Sequence, residues 1–301
     1  MDKKSEAQKW FSKGCLLDEI DTISEEALEA YKKTVQLDNK YVDAYINLGF
    51  LYIKKEDYKT ALKYFSKAVQ LEHDNPAVYN NLGYVYEKME RFGSAKRMYE
   101  NAIKLNPRDV EAHMNIAFIS GLQGDYRQAI EQYQIAIEID PDTASPHFCL
   151  AVLYDRHDMF DEALAEYKNV VEIEPSHSKA LFNMGTIYTQ QGNHAQAIKS
   201  YSKLLEINPD LWEAWNNLAS IYDEMGNYER AVQAYNKSLS FDMLQEKVHF
   251  NLAQIEYLHY KENPDEANWR GIRERLLFVL SINPENKNAQ RLLQELEGIE
   301  G

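Results

Sequence analysis

Proline and glycine are scarce, at 8 and 12 of 301 residues, which excludes collagen-like and low-complexity disordered chains. Cysteine is scarcer still. Cys15 and Cys149 are the only two, so no disulfide framework is expected and a reducing compartment is the natural setting. No apolar run approaches the roughly 18 residues needed to cross a bilayer, and the opening MDKKSEAQKWFSKG lacks the apolar centre of a secretory signal. Together these absences lead to the expectation of a cytoplasmic protein with no membrane partner. Basic residues are in deficit as well, 33 Lys and Arg against 48 Asp and Glu for a net charge of −15. That balance argues against nucleic-acid partners, whose binding depends on neutralising phosphates. It also keeps an elongated chain soluble and would steer in a basic partner surface.

Signatures of catalysis are missing too. The chain has no GxxxxGK[ST] phosphate loop, no HExxH metal pair, no GxSxG nucleophile turn and no GxGxxG fingerprint, so no catalytic residue, metal site or cofactor is expected. His113, His147 and His249 share one position of a repeating pattern, but Tyr45, Tyr79, Leu181 and Trp215 occupy it elsewhere. They read as packing residues, since a metal site would need neighbouring ligands that are not there. Cys149 has no basic neighbour in sequence to lower its pKa and reads as a small buried hydrophobe. Asn236 heads a formal NKS glycosylation acceptor, which has no meaning in a cytosolic chain.

What the chain has is repetition. Ala27, Ala61, Ala95, Ala129, Ala163, Ala197 and Ala231 are spaced by 34 residues without a slip. Four residues after each stands a ring: Tyr31, Phe65, Tyr99, Tyr133, Tyr167, Tyr201 and Tyr235. A second column of small residues, Gly49, Gly83, Ala117, Ala151, Gly185, Ala219 and Ala253, keeps the same period. A fixed period of this length marks stacked repeats, which grow along one axis and need not split into globular domains. Each unit holds two helical stretches. In VDAYINLGFLYIKK, Tyr45, Leu48, Gly49 and Tyr52 fall on one helical face, and in YKTALKYFSKAVQLE so do Ala61, Leu62, Phe65, Ala68 and Val69. Asp57, Asp125, Asn193 and Asn227 stand where an N-cap is needed between them, whereas Arg91 and Met159 leave that cap missing. Prolines 107, 141, 175 and 209 close four units by forcing the preceding residue out of helical geometry. His73 and Met243 replace that proline in two others.

On these residues the chain resembles the tetratricopeptide repeat family, whose unit is a 34-residue helix-turn-helix. Tyr45, Leu48, Gly49 and Tyr52 match its aromatic, apolar, small and aromatic positions, and Ala61, Phe65 and Ala68 match its second helix. The register gives eight repeats: 7–41, 42–75, 76–109, 110–143, 144–177, 178–211, 212–245 and 246–286. The first carries one extra residue between Trp10 and Ala27, and the eighth about seven around KENPDEA. After Pro284, residues 287–298 read as a capping helix whose Ala289, Leu292, Leu293 and Leu296 cover the last repeat. The resemblance therefore implies an all-α fold, a right-handed α-solenoid superhelix of these repeats plus the cap, forming a single domain over 1–301.

It also implies a function. Family members bind peptides or extended protein segments on the inner face of the first helices, and this chain places Asn47, Asn81, Asn115, Asn183, Asn217 and Asn251 in one column there. Asparagine is common at this position in the whole family, so an inherited structural role stands beside a binding role; Cys149 interrupts the column. In the neighbouring column Phe50, Tyr84, Phe118 and Val152 are apolar where Thr186, Ser220 and Gln254 are polar. With Ile46, Met114, Phe148 and Phe182 one turn before, the N-terminal half of the groove becomes aromatic. Such a strip marks a binding site or packs between adjacent first helices. The lysine and arginine clamp by which some family members hold C-terminal carboxylates is absent, because Ile46, Phe50, Met114 and Asn115 occupy those places and Lys179 with Asn183 cannot rebuild it. The expectation is a non-enzymatic, monomeric adaptor for a protein or peptide segment. A self-assembling scaffold and a regulatory or chaperone module of a larger complex are the alternatives.

Overall fold

The computed structural model describes residues 2–20, 25–262 and 266–298. Among them there are seventeen α-helices and no strand. The chain divides into two compact units, Met1–Asp158 and Met159–Gly301. The first contains α1 (Lys3–Ile20), α2 (Glu25–Leu37), α3 (Val42–Lys54), α4 (Tyr58–Leu71), α5 (Pro76–Lys88), α6 (Phe92–Leu105), α7 (Val110–Leu122), α8 (Tyr126–Ile139) and α9 (Ala144–Asp155). Here α1 to α8 form four helical hairpins, each second helix packs on the next first helix, and α9 completes the stack.

The repeating columns are the core of this stack. Every alanine of the 34-residue column is fully buried, and every ring four residues later is buried too. A Cβ added at Gly49 would lie 2.5 Å from Cζ of Phe65, and one at Gly83 would lie 2.4 Å from Cε1 of Tyr99. The missing side chain is what lets the ring of the second helix lie against the first helix's backbone. In the first repeat Gly14, not Cys15, takes this role against Tyr31, which puts the extra residue of that repeat after Gly14. Each buried ring contributes about 1.5 to 3 kcal/mol of apolar transfer.

The hairpin turns follow from their residues. Asp57 and Asp125 accept the backbone N–H of Thr60 and Gln128 at 3.1 and 3.2 Å, while Arg91 makes no side-chain cap. The residue before the cap takes a left-handed conformation. Gly124 does so at φ 80°, but Glu56 and Glu90 are held there at φ 57°, a region that costs residues with a Cβ about 1 to 2 kcal/mol.

The second unit contains α10 (Phe160–Ile173), α11 (Ser178–Gln190), α12 (His194–Ile207), α13 (Trp212–Glu224), α14 (Tyr228–Phe241), α15 (Glu246–Glu262), α16 (Glu266–Ile282) and α17 (Lys287–Gly298). Its hairpins repeat the same joints: Asn193 and Asn227 cap α12 and α14, and a Cβ on Gly185 would lie 2.7 Å from Cζ of Tyr201. The extra residues of the eighth repeat lengthen its helices to 17 residues each; of the KENPDEA segment, residues 263–265 lie outside the described residues. Ala289 and Leu296 of α17 are fully buried on Tyr257, Tyr260, Ile272, Leu276 and Val279, with Leu292 and Leu293 packed alongside. No helix among the described residues is long and apolar enough to cross a membrane, and both cysteines are free thiols.

Candidate functional site

The histidine column has a structural task. The polar tip of the residue at that position reaches a carbonyl six residues back, in the loop before its helix. Tyr45 and Tyr79 donate to the carbonyls of Asn39 and His73 at 3.3 Å, and Trp215 donates to that of Pro209 at 2.8 Å. Nε2 of His113, His147 and His249 lies 3.1, 3.4 and 3.0 Å from the carbonyls of Pro107, Pro141 and Met243. A carbonyl only accepts, so each imidazole presents Nε2–H and replaces a phenol or indole as loop anchor. Among the described residues no cluster of acidic, histidine or cysteine side chains could hold a metal ion.

The asparagine column is tied into the fold unevenly. In the second unit Nδ2 of Asn183, Asn217 and Asn251 donates to the hydroxyls of Tyr167, Tyr201 and Tyr235 at 2.7, 3.0 and 2.9 Å. Each tyrosine stands on the preceding second helix, so the bond staples one repeat to the next. Burial pushes the Tyr201 hydroxyl up and that of Tyr235 up to about 12, despite the stabilising amide contacts. In the first unit the pattern breaks. Asn47 still bonds Tyr31, but the counterpart of Asn81 is Phe65, which has no hydroxyl, and the counterpart of Asn115 is Tyr99, which donates instead to Glu87 Oε2 at 3.3 Å. The side chains of Asn81 and Asn115 make no hydrogen bond to another described residue. Cys149 bonds Tyr133; burial raises both their pKa values, which disfavours the thiolate.

The ring column beside it is open to solvent in the first unit. Phe50, Tyr84 and Phe118 are 39, 37 and 46% exposed, so they do not disappear between adjacent helices. Phe50 rests its edge on Phe65 at 5.5 Å between centroids, and Lys88 Nζ sits 5.1 Å from the Tyr84 centroid. Phe148 is half-buried on α9. In the second unit Phe182 is half-buried edge-on against Tyr201 at 5.8 Å, and Thr186 at the ring position bonds the Phe182 carbonyl and the Tyr201 hydroxyl, each at 3.1 Å. Asn81 and Asn115 of the first unit thus stand unoccupied beside exposed rings, while Asn47 in that unit and Asn183, Asn217 and Asn251 in the other are tied to a tyrosine.

A cleft of about 510 Å³ lies within the first unit between α7, α8 and α9. Phe118, Phe148 and Val152 line it as the columns anticipate; Gly121, Leu122, Tyr126, Leu153, Arg156 and His157 line it unanticipated. The signal was a register break. Where other repeats carry Ile53, Glu87, Asp155, Thr189 and Asp223, the fourth has Gly121, and Ser120 replaces Tyr52, Tyr86, Tyr154, Tyr188 and Tyr222. A Cβ on Gly121 would meet only Ala129 and Leu153, both at 3.9 Å, so the missing side chain leaves open space.

Family models described as tetratricopeptide repeat match residues 76–109 and 176–242, and one described as TPR repeat matches 24–56, 51–90 and 122–157. No curated protein sequence matches. Among solved structures, the C-terminal part of a tetratricopeptide repeat protein from Cytophaga hutchinsonii is 18% identical, with a TM-score of 0.70 over 82% of this chain and 99% of that one. PilF of Pseudomonas aeruginosa is 18% identical, with a TM-score of 0.57 over 69% of this chain and 95% of that one. YrrB, described as a TPR protein with an unusual peptide-binding site, is 25% identical over 62% of this chain and 96% of its own, at a TM-score of 0.49. The first two likenesses establish the fold.

Proposed function

The chain belongs to the tetratricopeptide repeat family, and from that premise we propose that it is a non-enzymatic adaptor holding an extended peptide segment along the first helices of its N-terminal unit. The observation that carries the reading is the exposed row of Phe50, Tyr84 and Phe118, with the amides of Asn81 and Asn115 beside it and unengaged. Rings supply large contact area at low entropic cost and dominate binding hot spots. An asparagine amide offers a donor and an acceptor to a peptide unit, so the segment's backbone is read as well as its side chains. In this reading the chain is a cytoplasmic monomer, its partner is a protein segment, and neither nucleic acid nor membrane is bound.

A peptide selected from a random dodecapeptide display library serves as probe. Tyr84→Ala combined with Phe118→Ala should weaken its binding about a hundredfold or more in titration calorimetry, as loss of two central anchors does. Removing the exposed second-helix lysines Lys63 and Lys104 should leave affinity unchanged. Equal losses from both pairs, with circular dichroism intact, would place the peptide elsewhere. Light scattering at several concentrations should give a constant monomer mass; mass that grows with concentration would favour the self-assembling scaffold.

A further inference from the structure

We propose that the cleft beside Gly121 is a specificity socket that takes one bulky apolar side chain of the bound peptide together with a carboxylate next to it. The proposal rests on the groove reading above and adds what the groove selects. Three observations carry it. The cleft is lined by Gly121, which has no side chain at a position that other repeats fill, and its volume of about 510 Å³ lies in the range of ligand pockets, about 300 to 1,000 Å³. Its walls are Phe118, Leu122, Phe148, Val152 and Leu153, and Phe118 is shared with the exposed row. Arg156 is the one permanently charged side chain in the lining.

The charge settles the chemistry of the occupant. In a chain of net charge −15, this guanidinium has no ion pair or side-chain hydrogen bond with another described residue, although Asp155 and Asp158 flank it in sequence. His157, its ring tilted against Tyr126 at 3.8 Å between centroids, lines the cleft as well. A planar donor fork beside an apolar cleft matches the carboxylate of an Asp or Glu next to the apolar anchor. A cationic residue there would meet Arg156 unfavourably.

N-acetyl-tryptophan carries both features and is the probe, with N-acetyl-tryptophanamide lacking the charge and N-acetyl-alanine lacking the ring. Methyl NMR of the full chain, labelled at Leu and Val, reads the site at Leu122, Val152 and Leu153. Millimolar N-acetyl-tryptophan should shift these three saturably, with the amide about tenfold weaker and the alanine derivative silent. Arg156→Gln should erase the difference between acid and amide. Gly121→Ile should abolish binding with folding intact, because Ile53 stands at the same position of the second repeat and only ordinary contacts surround the added carbon. Absence of saturable shifts at these methyls, equal affinity for acid and amide, or indifference to Gly121→Ile would each overturn the socket. The two readings separate cleanly. A display-selected dodecapeptide that depends on Phe50 and Tyr84 but ignores Gly121→Ile leaves the groove standing and removes the socket, whereas one that ignores Phe50 and Tyr84 counts against the groove.

Discussion

In the unit ending at Asp158 the residue after the small position is a ring at Phe50, Tyr84 and Phe118; in the unit beginning at Met159 the same position is Thr186, Ser220 or Gln254. The asparagine column changes in step. Asn183, Asn217 and Asn251 give a hydrogen to the tyrosine of the preceding repeat, whereas Asn81 and Asn115 have no such partner. One repeat pattern therefore supports two uses of the same residue type. Where the second helix brings a hydroxyl within reach, the amide staples neighbouring repeats; where it brings Phe65, or a tyrosine that donates to Glu87, that staple is missing. Apolar surface and unengaged amides coincide in one unit, and that coincidence, not either feature alone, locates the proposed site.

The widest separation between the two units should come from their asparagines. Asn81→Ala with Asn115→Ala should weaken a display-selected peptide about tenfold, near 1.4 kcal/mol, at unchanged melting temperature. Asn217→Ala with Asn251→Ala should do the converse, leaving affinity alone and costing about 1 to 3 kcal/mol of stability for two hydrogen bonds. Chemical denaturation beside calorimetry checks both, and identical behaviour of the two pairs would dissolve the distinction.

A smaller effect is expected from making the first unit resemble the second. Phe65→Tyr offers Asn81 the hydroxyl it lacks and should raise stability by about 0.5 to 1.5 kcal/mol, while lowering peptide affinity a few-fold by engaging that amide. Binding unchanged in a stabilised variant would mean that Asn81 does not touch the peptide.

The smallest concerns pH. Burial holds the His249 imidazole below its usual 6.5, and the nearby Arg275 adds to this against the Met243 carbonyl; its Nδ1 is buried without a partner. The unfolded chain then takes up a proton first as pH falls, so the stability carried by this site is present above about pH 6.5 and is lost between that value and the folded pKa. Thermal scans from pH 7.5 down to about 5.5 should show His249→Tyr gaining on the parent chain as pH drops, with Tyr45 and Tyr79 as precedent for the phenol. Parallel curves would remove His249 from the account.

Much of this could be read from the letters. The columns of alanine, ring and small residue gave the helix faces and the hairpin joints, because a period in sequence becomes a row in space once the helices stack. Asp57, Asp125, Asn193 and Asn227 were legible as caps, and Arg91 and Met159 as missing ones, since capping is local chemistry. The direction in which an amide spends its hydrogens was not, because it depends on which ring the preceding helix brings within 3 Å. Glu56 and Glu90 gave no warning of positive φ, which accompanies the closure of each hairpin turn by the backbone bonds of Asp57 to Tyr52 and Arg91 to Tyr86. The cleft needed three helices side by side before Gly121 became more than an odd letter in its column.

Hydrogen–deuterium exchange with a display-selected peptide bound to the full chain tests the central claim most directly. The account predicts protection in segments covering Val42–Lys54, Pro76–Lys88 and Val110–Leu122, with exchange unaltered in Ser178–Gln190 and Trp212–Glu224. Protection confined to the latter pair would contradict it.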